Sequence, residues 1–144
     1  MRIGEMYMSI KLHEMAKYEY TLEEVLDYEK NNKNSLRGCN TYEIYYAYIG
    51  RYDQPGVYDK RPCVVIEDLG ENVLVAKITS KSKNSPRRYL IKNYRGLNIE
   101  NPSYIKLDEE LYTISKKWLT LFCGDIKYSD ALEIEKLIGV KKYE

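Results

Sequence analysis

The chain has 144 residues, with 23 Lys and Arg against 22 Asp and Glu, for a net charge of +1. Hydrophobic residues make up 44% and charged residues 31%, which excludes a disordered chain and predicts one globular domain with a proper core. A nearly neutral molecule has no global attraction for nucleic acid, so any such attraction must come from a local patch.

Three cysteines, Cys39, Cys63 and Cys123, form an odd set without a CxxC pair. That fits a reducing compartment better than a disulfide framework. No apolar run approaches the roughly 18 residues of a membrane span, and the N-terminus has no signal-like apolar stretch. These features read as a cytoplasmic protein without membrane association. Sixteen tyrosines against one phenylalanine fit half-buried strands and interfaces, where the ring packs and the hydroxyl stays wet; tyrosine also stacks on bases.

Residues 1–38 read as a helical extension. A weak pattern allows a helix between Ile3 and Ala16. Thr21 with Glu24 makes a capping box that opens a better one, with Leu22, Val25, Leu26 and Tyr28 as its apolar positions. Asn31-Asn32-Lys33-Asn34-Ser35 ends it, and Gly38 breaks the chain.

Residues 39–144 change to strand grammar. Strands are expected at Tyr42 to Ile49, Cys63 to Ile66 and Val73 to Thr79, with shorter ones at Tyr89 to Ile91, Ser103 to Leu107, Leu111 to Ile114 and Leu119 to Ile126. Long polar loops are expected over 50–60 and 80–88. A helix closes the chain, with Ser129 as its N-cap, Asp130 complementing the dipole, and Gly139 after its last turn. The fold class is mainly β (α+β): a small, strongly bent antiparallel barrel with a terminal helix.

Histidine chemistry is disfavoured, because the one histidine, His13, lies in the extension. No phosphate-binding glycine loop and no GxSxG elbow occur. Asp108, Glu109 and Glu110 are consecutive in a turn, a poor arrangement for a two-metal nuclease, so no metal or other cofactor is expected.

Between Glu71 and Glu100 there is no acidic residue, while Lys77, Lys81, Lys83, Arg87, Arg88, Lys92 and Arg95 supply seven cations. Tyr89 and Tyr94 are interleaved with them, which suits a single-stranded nucleic acid: charge along the backbone, rings against bases. A solvated loop that keeps a barrel edge soluble accounts for the same run equally well. Upstream, Lys60-Arg61-Pro62 leads into an apolar strand, and a planar guanidinium suits a phosphate. Thr79-Ser80 closes the next strand, so Arg61 and Thr79 approach one another if the two strands pair.

The ordered set Glu43-Ile44-Tyr45-Tyr46, the loop through Gln54 and Gly56, Lys60-Arg61-Pro62-Cys63-Val64-Val65-Ile66 and Val75-Ala76-Lys77-Ile78-Thr79-Ser80 resembles the MazF/PemK family of toxin endoribonucleases. Ser103 to Asp108, Tyr112-Thr113-Ile114 and the helix from Ser129 extend the likeness, which covers about residues 41 to 139. The resemblance implies an SH3-like barrel, a homodimer, an antitoxin partner, and cleavage of single-stranded RNA by attack of the ribose 2′-hydroxyl without a metal. It implies catalytic roles for Arg61, Thr79, Ser80 and Asp108. Gln54, Lys77, Lys81, Lys83, Arg87, Arg88 and Lys106 would contact RNA, with Gly56 permitting the loop to move. The chain departs from the pattern at Lys106, where some members carry arginine, in a turn at Asp108-Glu109-Glu110 that is one residue longer, and in its N-terminal extension. A non-cutting module on the same barrel, as in CcdB-type gyrase poisons, is the alternative.

Overall fold

The computed structural model describes residues 19–31 and 38–143. In chain order these form β1 (Tyr20–Thr21), α1 (Leu22–Asn31), β2 (Glu43–Gly50), β3 (Val57–Asp68), β4 (Asn72–Thr79), β5 (Arg88–Leu90), β6 (Tyr104–Lys106), β7 (Tyr112–Ser115), a single 3₁₀ turn (Lys116–Trp118), β8 (Leu119–Asp125) and α2 (Tyr128–Tyr143). The expected helix between Ile3 and Ala16, and His13 with it, lie outside the described residues.

Every strand pair is antiparallel, in the order β5-β6-β4-β3-β2-β8, with β1 added to β3 and β7 to β4. Each expected strand is present. The alternation of side chains along β3 and β4 explains why one sheet carries two cores. Val64, Ala76 and Ile78 point to a cluster that α2 closes with Ala131 and Ile134, whereas Cys63, Val65, Val73 and Val75 point to the other, with Ala47, Ile49 and Leu119. Such runs are apolar at every position because both faces are covered.

The sheet curls until the segment after β5 crosses β8. There the Asn98 N–H donates to the Cys123 carbonyl at 2.8 Å. Gly124 is required at this crossing: its φ is +117°, and a Cβ would lie 2.5 Å from the Gly96 carbonyl oxygen.

Three expectations need correction. β3 starts at Val57, so the loop after β2 is shorter than 50–60; Gln54-Pro55-Gly56-Val57 closes it as a tight turn, with Gly56 at φ +85° and the Val57 N–H on the Gln54 carbonyl. α2 runs through Gly139 to Tyr143, and Leu137 and Ile138, just before that residue, pack on the core. Ser129 lies inside the first turn of α2 rather than at its cap. Asp130 does more than complement the dipole. Buried, it accepts from the Tyr89 hydroxyl and from the backbone N–H groups of Lys92 and Asn93, tying α2 to the segment after β5.

The described part of the extension is docked on the barrel. Its capping box is formed: the Glu24 N–H donates to Thr21 Oγ1, and the Thr21 N–H to Glu24 Oε1, both at 3.2 Å. β1 pairs with the start of β3, Tyr20 opposite Tyr58. Val25 is fully buried, Tyr20 and Tyr28 meet the Tyr48 ring edge-on, and Trp118 Nε1 donates to Glu29. Leu22 and Leu26 remain exposed, so the apolar stripe is narrower than the sequence implies. All three cysteines are buried and outside any disulfide, and burial raises each thiol above its ordinary range.

Candidate functional site

Strand register brings the candidate residues together. Cys63 on β3 faces Lys77 on β4 as the last pair of that ladder; Arg61 lies two residues before Cys63 on β3, and Thr79 two residues after Lys77 on β4. On the other side of β4, Ile78 faces Ile105 and Thr79 faces Tyr104, so Lys106 lies beside Lys77; Lys106 in turn faces Arg88 on β5. Arg61, Lys77, Thr79, Lys106 and Tyr104 therefore share one face of the sheet, where the apolar residues Val73 and Val75 of β4 give way to polar ones.

The groups on this face differ in exposure. Arg61 and Ser80 are exposed, while Thr79, Lys77 and Lys106 are half-buried. Thr79 Oγ1 accepts from the Lys81 N–H at 3.3 Å, which leaves its own O–H to donate elsewhere. The Lys77 ammonium lies 4.6 Å from the centre of the Tyr112 ring, a cation–π contact. Burial lowers the Lys77 pKa; Arg61 and Arg51 push it the same way, and Asp59 and Glu109 oppose them. Burial also lowers Lys106, whose ammonium sits 3.7 Å from Glu109.

Two of the expected site residues sit otherwise than the sequence implies. Arg88, expected on the RNA surface, has a side chain only 2% exposed. Its Nε donates to Asp108, its Nη2 to Glu109 at 3.2 Å and its Nη1 to the Lys81 carbonyl at 2.8 Å. This guanidinium anchors the base of the basic loop to the turn after β6, and the surface patch loses one of its seven cations. Asp108 is the second. Both of its oxygens accept from Arg88, so its carboxylate is held in an ion pair. Lys81 and Lys83 are exposed on the loop, Lys83 in the left-handed region at φ 48°, and Arg87 is half-buried.

Gln54 is exposed, and its Oε1 accepts from Arg51 Nη1 at 2.8 Å. Arg51 also pairs with buried Asp59 at 2.9 Å and with Glu19 of the extension at 3.2 Å. The loop is therefore braced rather than free, and Gly56 serves its turn. Arg51, Asp59 and Tyr112 are the residues that sequence reasoning missed. Nothing local marks them, because their partners come from other strands. Among the described residues no group of three His, Cys, Asp or Glu side chains converges to hold a metal ion, and no helix is long and apolar enough to cross a membrane.

The fold is similar to those of several toxins. An endoribonuclease from a mycobacterial species matches with a TM-score of 0.57 at 11% identity, over 73% of this chain and 91% of that one. The Mycobacterium tuberculosis toxin MazF-mt6 matches with a TM-score of 0.52 at 20% identity, over 67% and 92%. A mycobacterial endoribonuclease solved with its cognate antitoxin matches with a TM-score of 0.55 at 14% identity, over 72% and 93%. Among curated proteins none matches by sequence. The model of the PemK-like, MazF-like toxins of type II toxin–antitoxin systems matches residues 40–140, the whole of the barrel and nearly all of α2, and the chain belongs to that family.

Proposed function

We propose that the protein is the toxin of a toxin–antitoxin pair and acts as an endoribonuclease on single-stranded RNA, cutting by attack of a 2′-hydroxyl on the adjacent phosphate without a metal. The observation that carries this reading is the placing of Arg61, Lys77 and Thr79 on one face of the sheet beside the basic loop, with Arg61 near enough to Lys77 to act on its charge. A phosphorane-like transition state gathers negative charge on its non-bridging oxygens, and fixed donors aimed at that charge are the largest single source of catalysis. Arg61 supplies a planar, permanently charged fork for the phosphate. Thr79 has a hydroxyl proton to give, and Ser80 adds a second hydroxyl beside it. Lys81, Lys83, Arg87 and Lys106 would hold the flanking phosphates, and exposed Gln54 would add a further contact to the RNA.

The reading includes a homodimer, a partner antitoxin that neutralises the activity, and residence in the cytoplasm, where the three thiols stay reduced. A mycobacterial relative of this fold has been solved with its cognate antitoxin, which supports such a partner. Incubating the protein with a long single-stranded RNA in EDTA, beside Arg61→Ala, tests the activity. Discrete ends bearing 2′,3′-cyclic phosphate, lost in the variant, are expected. Intact RNA from folded wild-type protein would leave the non-cutting module as the better reading.

A further inference from the structure

The 2′-hydroxyl attack has a proton to move at each end. The P–O2′ bond forms while the P–O5′ bond breaks, and the departing 5′-oxygen must receive a proton to leave as an alcohol. Arg61 is a poor donor, because a guanidinium keeps its proton at any working pH. Asp108 has both of its oxygens turned to the Arg88 guanidinium and not to the strand face of Arg61 and Thr79. Lys106 is drawn toward Glu109. Lys77 differs from all of these. Among the described residues its ammonium has no carboxylate within ion-pair distance, and it rests on the Tyr112 ring between Arg61 and Lys106.

We propose that Lys77 is the general acid of the cleavage step, giving a proton to the departing 5′-oxygen, while Asp108 serves as the structural partner of Arg88. The inference rests on the endoribonuclease reading above and names a proton donor within it. In the step, the 2′-hydroxyl proton passes to water, the P–O2′ bond forms, the P–O5′ bond breaks, and the Lys77 Nζ–H proton goes to O5′. Water then reprotonates the amine, so atoms and charge balance without a co-reactant.

The surroundings of Lys77 suit this role. An acid works best when its pKa lies near the working pH. Burial draws Lys77 down toward that range, and the charges facing it partly cancel: Arg61, Arg51 and Lys106 favour losing the proton, Asp59 and Glu109 favour keeping it. Tyr112 covers the amine without accepting its proton, so the donor is held and stays available. Its nearness to Thr79, two residues along β4, puts the donor at the same strand end as the hydroxyl that would face the phosphate.

The test compares Lys77→Arg and Lys77→Met on two RNA oligonucleotides, one ordinary and one with sulfur in place of the bridging 5′-oxygen at the cleaved linkage. A thiolate leaves without a proton, so a missing acid does not matter for the second substrate. Lys77→Arg keeps the charge and is expected to lose about 100-fold or more in kcat on ordinary RNA, while cleaving the sulfur substrate at the wild-type rate. Its activity on that substrate also proves the variant folded. Wild-type kcat should fall on the alkaline side as Lys77 loses its proton, and that limb should vanish in Lys77→Arg. Equal losses on both substrates would make Lys77 a phosphate contact and overturn the proposal, as would unchanged cleavage of ordinary RNA. Wild-type protein that cuts neither substrate would instead overturn the endoribonuclease reading itself.

Discussion

Arg88 Nε reaches both carboxylate oxygens of Asp108, at 3.0 and 3.3 Å, from a side chain that solvent barely touches. The same guanidinium holds Glu109 and the Lys81 carbonyl. One residue thus fixes both the root of the basic loop and the turn between β6 and β7. Arg88→Ala removes a buried guanidinium and leaves the Lys81 carbonyl and two carboxylates that solvent can reach, so it should cost about 1–3 kcal/mol. Arg88→Lys should recover only part, because an ammonium lacks the fork. Chemical denaturation measures both, and a loss within about 0.5 kcal/mol, typical of surface positions, would show that the pair is exposed in solution.

Arg61 has the opposite character. It is exposed on β3, so Arg61→Ala should leave stability unchanged within about 0.5 kcal/mol. Cleavage should fall by at least about 10²–10³-fold, as when a preorganised donor to a transition-state oxygen is removed. The denaturation midpoint and the single-turnover rate on one RNA decide it together. A rate within twofold of wild type would remove Arg61 from the site.

Binding should weaken steeply with salt. Each phosphate neutralised on a single strand contributes about −0.7 to the slope of log K against log salt. Lys83→Ala should lower that slope by about 0.7 if its ammonium contacts a phosphate. Anisotropy with a labelled, uncleavable 2′-deoxy strand gives these slopes directly. A salt-independent affinity would clear the basic loop of any contact with the strand.

The docked extension makes a separate prediction. Val25 is fully buried between α1 and the barrel, and Val25→Ala should cost about 2 kcal/mol through lost burial and the cavity left behind. Proteolysis should then release the extension before the barrel unfolds. Equal protease resistance in the variant would show that Val25 does not hold α1 in place.

Alkaline pH should destabilise the fold through its tyrosines. Burial raises Tyr48 and Tyr42 to about 12, against an ordinary value near 10. Below pH 10 both folded and unfolded chains hold these protons, and the stabilisation is fully present. Between about pH 10 and 12 the unfolded chain loses them first, so stability falls as pH rises through that window. Phenolate absorbance should show Tyr48→Phe removing one late-titrating group. An unchanged titration curve would place Tyr48 in solvent.

Local features of the fold were legible in the sequence, because they depend on neighbours. The Thr21–Glu24 box needs only four residues, and the apolar runs of β3 and β4 announce strands covered on both faces. The pairing of those two strands, which sets Cys63 opposite Lys77, also followed from their apolar runs. Arg88 could not be read correctly. Its place in an acid-free run suggested the surface, while the carboxylates that bury it lie twenty residues downstream. Asp130 was placed in the first turn of the helix, but its buried tie was hidden for a similar reason, since Tyr89, Lys92 and Asn93 lie far upstream in the sequence. The contact of Arg51 with Glu19 depends on the pairing of β1 with β3, which no two-residue strand reveals in advance.

The three sealed cysteines have a practical consequence. Thiol reagents attack the thiolate, and buried thiols with raised pKa values present little of it. The native chain is thus a quiet background for site-directed labelling. A cysteine introduced at exposed Lys83 should take a maleimide dye while the other three stay silent, which would let a single fluorophore report when a strand or an antitoxin settles over the basic loop.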